Sequence, residues 1–306
     1  MNLNKLGYTE KLFILPFDHR TSFATKYFNL IGPGSILESQ KQIIKECRQV
    51  VYEGFLKAVA LAIPKSQASF LTDEEYGDSI LKKAVQDGYV VCQTTEKSGQ
   101  REFQFEYGDS FGEHLNNINP LFAKALLIYN PQGDKDINKR QRASIRRLAN
   151  FCHLNGYKLL VEPLVHATES QMESFGGDRK KYDIELRPQL TIEMIEEFHR
   201  DEVEVDVWKI EGMYSNNDYQ LVSNKAREGG RENVGIVILG RAESVEIVEH
   251  WLKEGSTVPG VIGFAIGRTI FYEPLFDLRD GKISRSQAVD KIANNYIHFY
   301  KIFCGQ

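Results

Sequence analysis

Residues 205–267 carry three short apolar runs: VDVWKIEG at Val205 to Gly212, GIVILG at Gly235 to Gly240 and VIGFAIG at Val261 to Gly267. Between the first two lies a helical pattern near Asp218 to Arg227 that stops at Gly229-Gly230. Between the second and third a helix runs from about Ser244 to Lys253. Near-continuous apolar runs suit strands covered on both faces. Strands alternating with helical patterns predict βαβ units and a parallel sheet.

The same alternation extends outward to both ends. LFILPF at Leu12 to Phe17 reads as the first strand, with a helical pattern from about Ile36 to Ala62 after it. SFLT at Ser69 to Thr72 is the second, followed by a short helix near Ser79 to Val85 that Gly88 closes. YVVCQ at Tyr89 to Gln93 is the third, and FQFE at Phe103 to Glu106 suggests a small hairpin outside the main sheet. AKALLIY at Ala123 to Tyr129 is the fourth, a basic helix spans about Asn138 to Leu154, and YKLLVEPLV at Tyr157 to Val165 is the fifth. A polar stretch around Gly176-Gly177 reads as a loop over one end of the barrel, before a helix near Thr191 to Arg200. A last amphipathic helix covers Ser284 to Phe303. Eight strands predict one closed (β/α)8 TIM barrel over residues 1–306, an ordinary length for that fold. A doubly wound sheet would show a GxGxxG turn after its first strand, where this chain has FDHRTSF.

Composition narrows the function classes. Hydrophobic residues at 42% and charged residues at 26% describe an ordinary globular protein, and a net charge of -4 gives no electrostatic reason to expect nucleic acid. Cys47, Cys92, Cys152 and Cys304 form no CxxC pair and read as reduced thiols. The opening MNLNKLGYTEKLFILPF has too short an apolar run for a signal peptide or a membrane span, so a cytoplasmic protein without a membrane partner is expected. Self-association into a homo-oligomer is left open.

In such a barrel chemistry gathers at the C-terminal ends of the strands. Lys209 sits among Val207, Trp208 and Ile210 in the sixth strand. A desolvated lysine can supply a neutral amine that attacks a carbonyl; alternatively, the strand turns it outward to snorkel between helices. Glu162 in the fifth strand can hold and return a proton, or form a structural ion pair. Lys124 near the start of the fourth is a second cation for a substrate, or a solvent-facing charge. Asp18 at the end of the first orients a lysine or a hydroxyl, or caps a helix. Gly240-Arg241 and Gly267-Arg268 end the seventh and eighth strands, where backbone amides and arginine hold phosphate; the other reading of each arginine is a surface ion pair. His19, His114 and His166 lack partner spacing and are assigned no metal role. Glu74-Glu75 reads as a solvated turn.

Several segments in order resemble the aldolase-like domain appended to bacterial 5-dehydro-2-deoxygluconokinases, a family of myo-inositol catabolism. They are FDHR (17–20), DEEYGDSIL (73–81), FEYGDSFGEHL (105–115), KALLIYNP (124–131), LLVEPL (159–164), DVWKIEGM (206–213) and GFAIGRTIF (263–271). The kinase half is absent. That domain is in turn similar to tagatose-1,6-bisphosphate aldolase and the class I aldolases. The resemblance implies a (β/α)8 lyase needing no cofactor or metal, with Lys209 as the imine-forming amine and Lys124, Glu162 and Asp18 as its catalytic companions. Gly240, Gly267 and Arg268 would hold the phosphate of the sugar substrate, with Arg241 beside them. It implies cleavage of 2-deoxy-5-keto-gluconate 6-phosphate to dihydroxyacetone phosphate and malonic semialdehyde, with tagatose or fructose bisphosphate as the second choice. A phosphosugar isomerase or epimerase using Glu162 without an imine, and a non-catalytic sugar-phosphate binder, are the other readings. The chain departs from the family pattern at Arg241, where an apolar residue is usual, and in VVCQTTEK, which shows no counterpart of the aldolases' third-strand basic residue.

Overall fold

The computed structural model describes residues 3–30 and 36–306. Eight parallel strands close into a barrel in sequence order. They are β1 (Leu12–Phe17), β2 (Ala68–Thr72), β3 (Val90–Thr94), β4 (Phe122–Ile128), β5 (Lys158–Leu164), β6 (Val207–Glu211), β7 (Gly235–Leu239) and β8 (Val261–Ala265). Each lies within two residues of its expected bounds. Around them run α1 (Thr21–Tyr27), α2 (Glu38–Leu61), α3 (Glu74–Gln86), α4 (Phe111–Ile118), α5 (Lys135–Asn155) and α6 (Glu169–Ser174). The chain continues through α7 (Arg179–Glu185), α8 (Arg187–Arg200), α9 (Asn216–Ala226), α10 (Val245–Gly255), α11 (Arg268–Arg279) and α12 (Arg285–Cys304). No helix among the described residues is long and apolar enough to cross a membrane.

The helices depart from expectation more than the strands do. α3 begins at Glu74 rather than near Ser79, because the Asp73 carboxylate accepts the Tyr76 amide at 3.0 Å and caps the first turn. Glu74-Glu75 is therefore the helix's first turn and not a solvated turn. Glu74 meets His114 Nδ1 at 2.9 Å and Gln93 at 3.2 Å. The polar stretch around Gly176-Gly177 holds α6 and α7, each started by its own cap, Thr168 and Asp178. α11 was not expected from the sequence and turns out to begin at the rim of the site. The hairpin expected at FQFE is reduced to a narrow antiparallel bridge: Glu106 N donates to Thr95 O and Lys97 N to Gln104 O, both at 2.9 Å.

Side-chain parity gives the interior its layers. Leu12 and Ile14, Phe122, Leu160, Val207 and Val237 point into the barrel and form one apolar cluster toward its lower end. Phe13, Leu15, Ala123, Val161, Trp208 and Ile210 point outward and join the large core under the helices. Strand periodicity is two, so the next inward positions are Lys124 above Phe122, Glu162 above Leu160 and Lys209 above Val207. The barrel is thus apolar below and ionic above, and the outward reading of Lys209 is excluded because Trp208 and Ile210 occupy that face.

The lower end is tied by Asp206, which is fully buried. Its carboxylate accepts the Gly7 and Leu159 amides, each at 2.8 Å, and pairs with His153 at 2.9 Å and Lys158 at 3.1 Å. Gly7 is required there: its φ is 98° and a Cβ would lie 2.1 Å from Asn233 O. Burial alone would raise the Asp206 pKa, but His153, Lys158 and the Leu159 amide outweigh it and hold it below the ordinary value. Its contribution is complete above the ordinary aspartate value near pH 4 and fades as pH falls through the lowered one. Asp206→Ala should cost about 3 kcal/mol in urea unfolding at neutral pH, as broken buried pairs do. A loss within error of zero would refute this role.

Candidate active site

Five ionisable side chains meet at the upper, C-terminal end of the barrel. Lys124 Nζ lies 2.6 Å from Asp18 Oδ2, 2.6 Å from Glu96 Oε1 and 3.0 Å from Glu162 Oε2. Lys209 Nζ donates to the same Glu162 Oε2 at 2.8 Å. Strand pairing fixes this geometry: Lys124 is level with Leu160 and Lys209 with Val237. Lys124 is wholly buried and Lys209 retains 3% exposure, so solvent contributes little and these contacts act at reduced dielectric.

Lys124 donates to Asp18 and Glu96 and keeps Glu162 within ion-pair distance, so its charge faces three carboxylates. Burial would lower its pKa, but Asp18, Glu162 and Glu96 together hold it well above the ordinary lysine value. Asp18 and Glu162 are likewise pushed up by burial and pulled further down by Lys124 and Lys209. Glu96 differs. Burial, with Asp18 adding to it, outweighs Lys124 and Arg20 and raises its pKa above the ordinary value.

The excursion after β3 brings Glu96 here. Arg20, just past β1, pairs with Glu106 Oε2 at 2.5 Å and also donates to the Glu96 carbonyl. His19 is half-buried between the two hollows of the site; its Nδ1 lies 3.8 Å from Asp18 Oδ1 and has no hydrogen-bond partner among the described residues. Burial, with Arg268 and Lys209 nearby and against the pull of Asp18, pushes His19 down to about 3, so the ring is neutral at ordinary pH.

Two hollows open on this cluster. A cavity of about 350 Å³ is lined by Asp18, Glu96, Lys124 and Glu162. On the other side of His19 and Glu162, a shallow depression is lined by Lys209, Gly240, Gly267 and Arg268. Gly267 packs directly on β1, where a Cβ would stand 2.3 Å from Pro16 O. It precedes α11, whose first turn presents unpaired backbone amides at this rim, a setting that favours anions.

The two arginines of the rim differ. Arg241 is surrounded by carboxylates: Asp183 Oδ2 at 2.5 Å, Glu211 Oε1 at 3.1 Å and Glu243 Oε1 at 3.1 Å. Its guanidinium also lies over Trp251, 5.6 Å from the ring centroid. These acids hold Arg241 above its ordinary pKa despite burial. Its backbone and that of Ala242 are left-handed, with φ of 48° and 59°, a conformation costing non-glycine residues about 1 kcal/mol each. Arg268 is half-buried, and among the described residues no carboxylate lies within ion-pair distance of it.

The structure therefore brings Asp18, Lys124, Glu162 and Lys209 into direct contact and sets Gly240, Arg241, Gly267 and Arg268 along the adjoining rim. Sequence reasoning passed over Glu96, Arg20 and Asp183. Glu96 follows the third strand as Asp18 follows the first, and that shared position was the available signal. Asp183 lies on α7, in the stretch expected to be a loop.

Comparison with solved structures places the fold. A fructose-bisphosphate aldolase from Plasmodium falciparum, in complex with TRAP and a small-molecule inhibitor, aligns with a TM-score of 0.68 at 14% identity, covering 99% of this chain and 93% of that one. Cgl0159 from Corynebacterium glutamicum aligns with a TM-score of 0.57 at 16% identity, covering 97% and 91%. A Schiff-base-forming fructose-1,6-bisphosphate aldolase aligns with a TM-score of 0.54 at 12% identity, covering 93% of each chain. At these identities the likeness is one of fold. No curated protein matches the chain. The family described as "Uncharacterized protein conserved in bacteria (DUF2090)" matches residues 4–304, and the chain belongs to it.

Proposed function

We propose that this protein is a Schiff-base (class I type) aldolase acting on a phosphorylated keto sugar or sugar acid, with Lys209 as the amine nucleophile. The observation that carries this reading is the shared oxygen of Glu162, which accepts a hydrogen bond from Lys209 at 2.8 Å and lies within ion-pair distance of Lys124 at 3.0 Å. Lys124 is saturated by three carboxylates and serves as a fixed cation. Lys209 has one carboxylate partner and lines the depression beside Glu162, which borders both hollows, so it is the amine free to reach a ketone. Glu162 takes the proton that Lys209 gives up and returns it as the carbinolamine loses water. The resulting iminium withdraws electrons, which lets the neighbouring C–C bond break to an enamine. Asp18 keeps Lys124 charged and in place.

The phosphate falls to the rim. Arg268, with no acidic partner among the described residues, and the amides at the start of α11 suit it. Arg241, committed to Asp183, Glu211 and Glu243, braces the loop after Gly240 instead and borders the depression. The likeness of fold to fructose-bisphosphate aldolases supports the same class. The sequence resemblance favours 2-deoxy-5-keto-gluconate 6-phosphate, giving dihydroxyacetone phosphate and malonic semialdehyde, over tagatose or fructose bisphosphate.

The test is the intact mass after borohydride treatment with dihydroxyacetone phosphate. A covalent adduct that maps to Lys209 supports the aldolase; folded, phosphate-binding protein without an adduct turns the reading toward an isomerase or a binder. Arg268→Gln should raise KM for a phosphorylated substrate about 30-fold, the worth of a charge-assisted phosphate contact, with kcat little changed. An unaltered KM would remove Arg268 from the phosphate site.

A further inference from the structure

We propose that Glu96 is the catalytic base of the carbon–carbon cleavage step, an assignment that rests on the aldolase reading of Lys209. Glu96 touches Lys124 at 2.6 Å and lines the cavity on the side away from the phosphate rim. A ketose held by its phosphate near Arg268 and by its carbonyl carbon on Lys209 can extend the rest of its chain across Glu162, which borders both hollows. That path leads into the cavity past Glu162, where Asp18, Glu96 and Lys124 wait. The hydroxyl that must lose its proton lies on the first carbon beyond the bond that breaks, and so enters this group of acids.

The three carboxylates there are not equivalent. Asp18 is bound to Lys124 at 2.6 Å, and Lys124 and Lys209 together hold it strongly ionised, which makes it a weak base. Glu162 is shared by both lysines and is occupied with the proton of the amine. Glu96 has one lysine contact and a 3.2 Å bond from the Thr95 amide to its other oxygen. The charged groups facing it are Lys124 from β4, and Asp18 and Arg20 from the end of β1, with Arg20 largely committed to Glu106. Burial leaves it the most basic of the three, and a base works best when its pKa approaches the working pH.

The step balances as follows. The Glu96 carboxylate takes the hydroxyl proton, the oxygen electrons form the aldehyde carbonyl, and the C–C bond breaks. Its electron pair passes to the iminium nitrogen on Lys209, which becomes an enamine. In the condensation direction Glu96 returns the proton to the new hydroxyl. The third-strand position thus carries an acid in this chain, and the sign of the charge there suits proton transfer from a hydroxyl rather than the holding of a second phosphate.

The experiment compares wild type, Glu96→Gln and Glu96→Asp in three assays. These are borohydride trapping with dihydroxyacetone phosphate, exchange of its carbon-bound hydrogen with deuterated water, and condensation with a panel of malonic semialdehyde, glyceraldehyde and glyceraldehyde 3-phosphate. Trapping and exchange need Lys209 but no aldehyde. Glu96→Gln should keep both within about twofold and lose condensation by about 100-fold or more, the usual worth of a general base. In condensation Glu96 acts as the acid, so the fall in rate as pH rises through its titration should vanish with it, and Glu96→Asp should restore part of the rate. Condensation by Glu96→Gln near the wild-type rate, or equal loss in all three assays, overturns the assignment while leaving the aldolase reading intact. Wild-type protein that neither traps nor condenses overturns both.

Discussion

Lys209→Ala protein, incubated with dihydroxyacetone phosphate and borohydride, should gain no mass, while wild type gains one reduced adduct on Lys209. Turnover of any accepted sugar phosphate should fall by about 10⁴-fold or more, as when a covalent nucleophile is removed. The physical case is that no second amine can stand in. Lys124 is the other buried lysine of the site, but it donates to Asp18 and Glu96, is ion-paired with Glu162, and its charge is strongly favoured. An adduct that survives Lys209→Ala and maps to Lys124 would show that the roles of the two lysines are reversed. Phosphate affinity should be nearly unchanged in the variant, since Arg268 and the start of α11 lie on the far side of the depression.

The second large effect is expected from Lys124→Met. Removing this cation leaves Asp18, Glu96 and Glu162 facing one another in a buried space, balanced only by Lys209 and by Arg20, which is largely committed to Glu106. Breaking a buried ion cluster from one side costs about 3–5 kcal/mol, and turnover should fall by about 10³-fold as Glu162 becomes a reluctant proton donor. The pH dependence gives a sharper check. In wild type, Asp18 and Glu162 titrate below their ordinary values, so their contribution is complete above the ordinary carboxylate range near pH 4 and is lost as pH falls through the lowered values. Lys124 titrates above its ordinary value, so its contribution is complete below about pH 10 and is lost only at higher pH. Glu96, raised, works the other way and destabilises slightly as it ionises. In Lys124→Met the carboxylates can gain relief only by taking up protons. The deficit in urea-derived stability should therefore be greatest near neutral pH and shrink toward pH 5. A deficit independent of pH would mean that lost packing around the lysine stem, not charge, accounts for it.

The positions of the site residues were legible in the sequence to different degrees, for different reasons. Lys209 and Glu162 stand inside apolar strands, where a charge has few innocent explanations. Lys124 was more ambiguous, because a lysine two residues into a run can face either way until the strand's inward parity is known. Glu96 lies past the end of β3 in an irregular stretch, and nothing in local periodicity reports that Arg20 and the bridge to Phe105 draw that stretch over the barrel mouth. The two Gly-Arg pairs look alike in one dimension. Only Asp183 on α7, an element hidden in a polar segment, and Glu211 at the end of β6 separate them.

By itself the sequence determined the eight strands, their order and the closed barrel, because apolar runs of strand length alternating with amphipathic stretches are a local record of burial on both faces. It also determined that ionisable residues would cluster at one end, since they follow or interrupt the runs at their C-terminal sides. The tertiary structure decided which charges touch. A salt bridge depends on strand register, inward parity and loop path, none of which is encoded in the neighbours of a single residue. That is why the three carboxylates on Lys124, the single oxygen shared with Lys209 and the unneutralised Arg268 appear only when the barrel is closed.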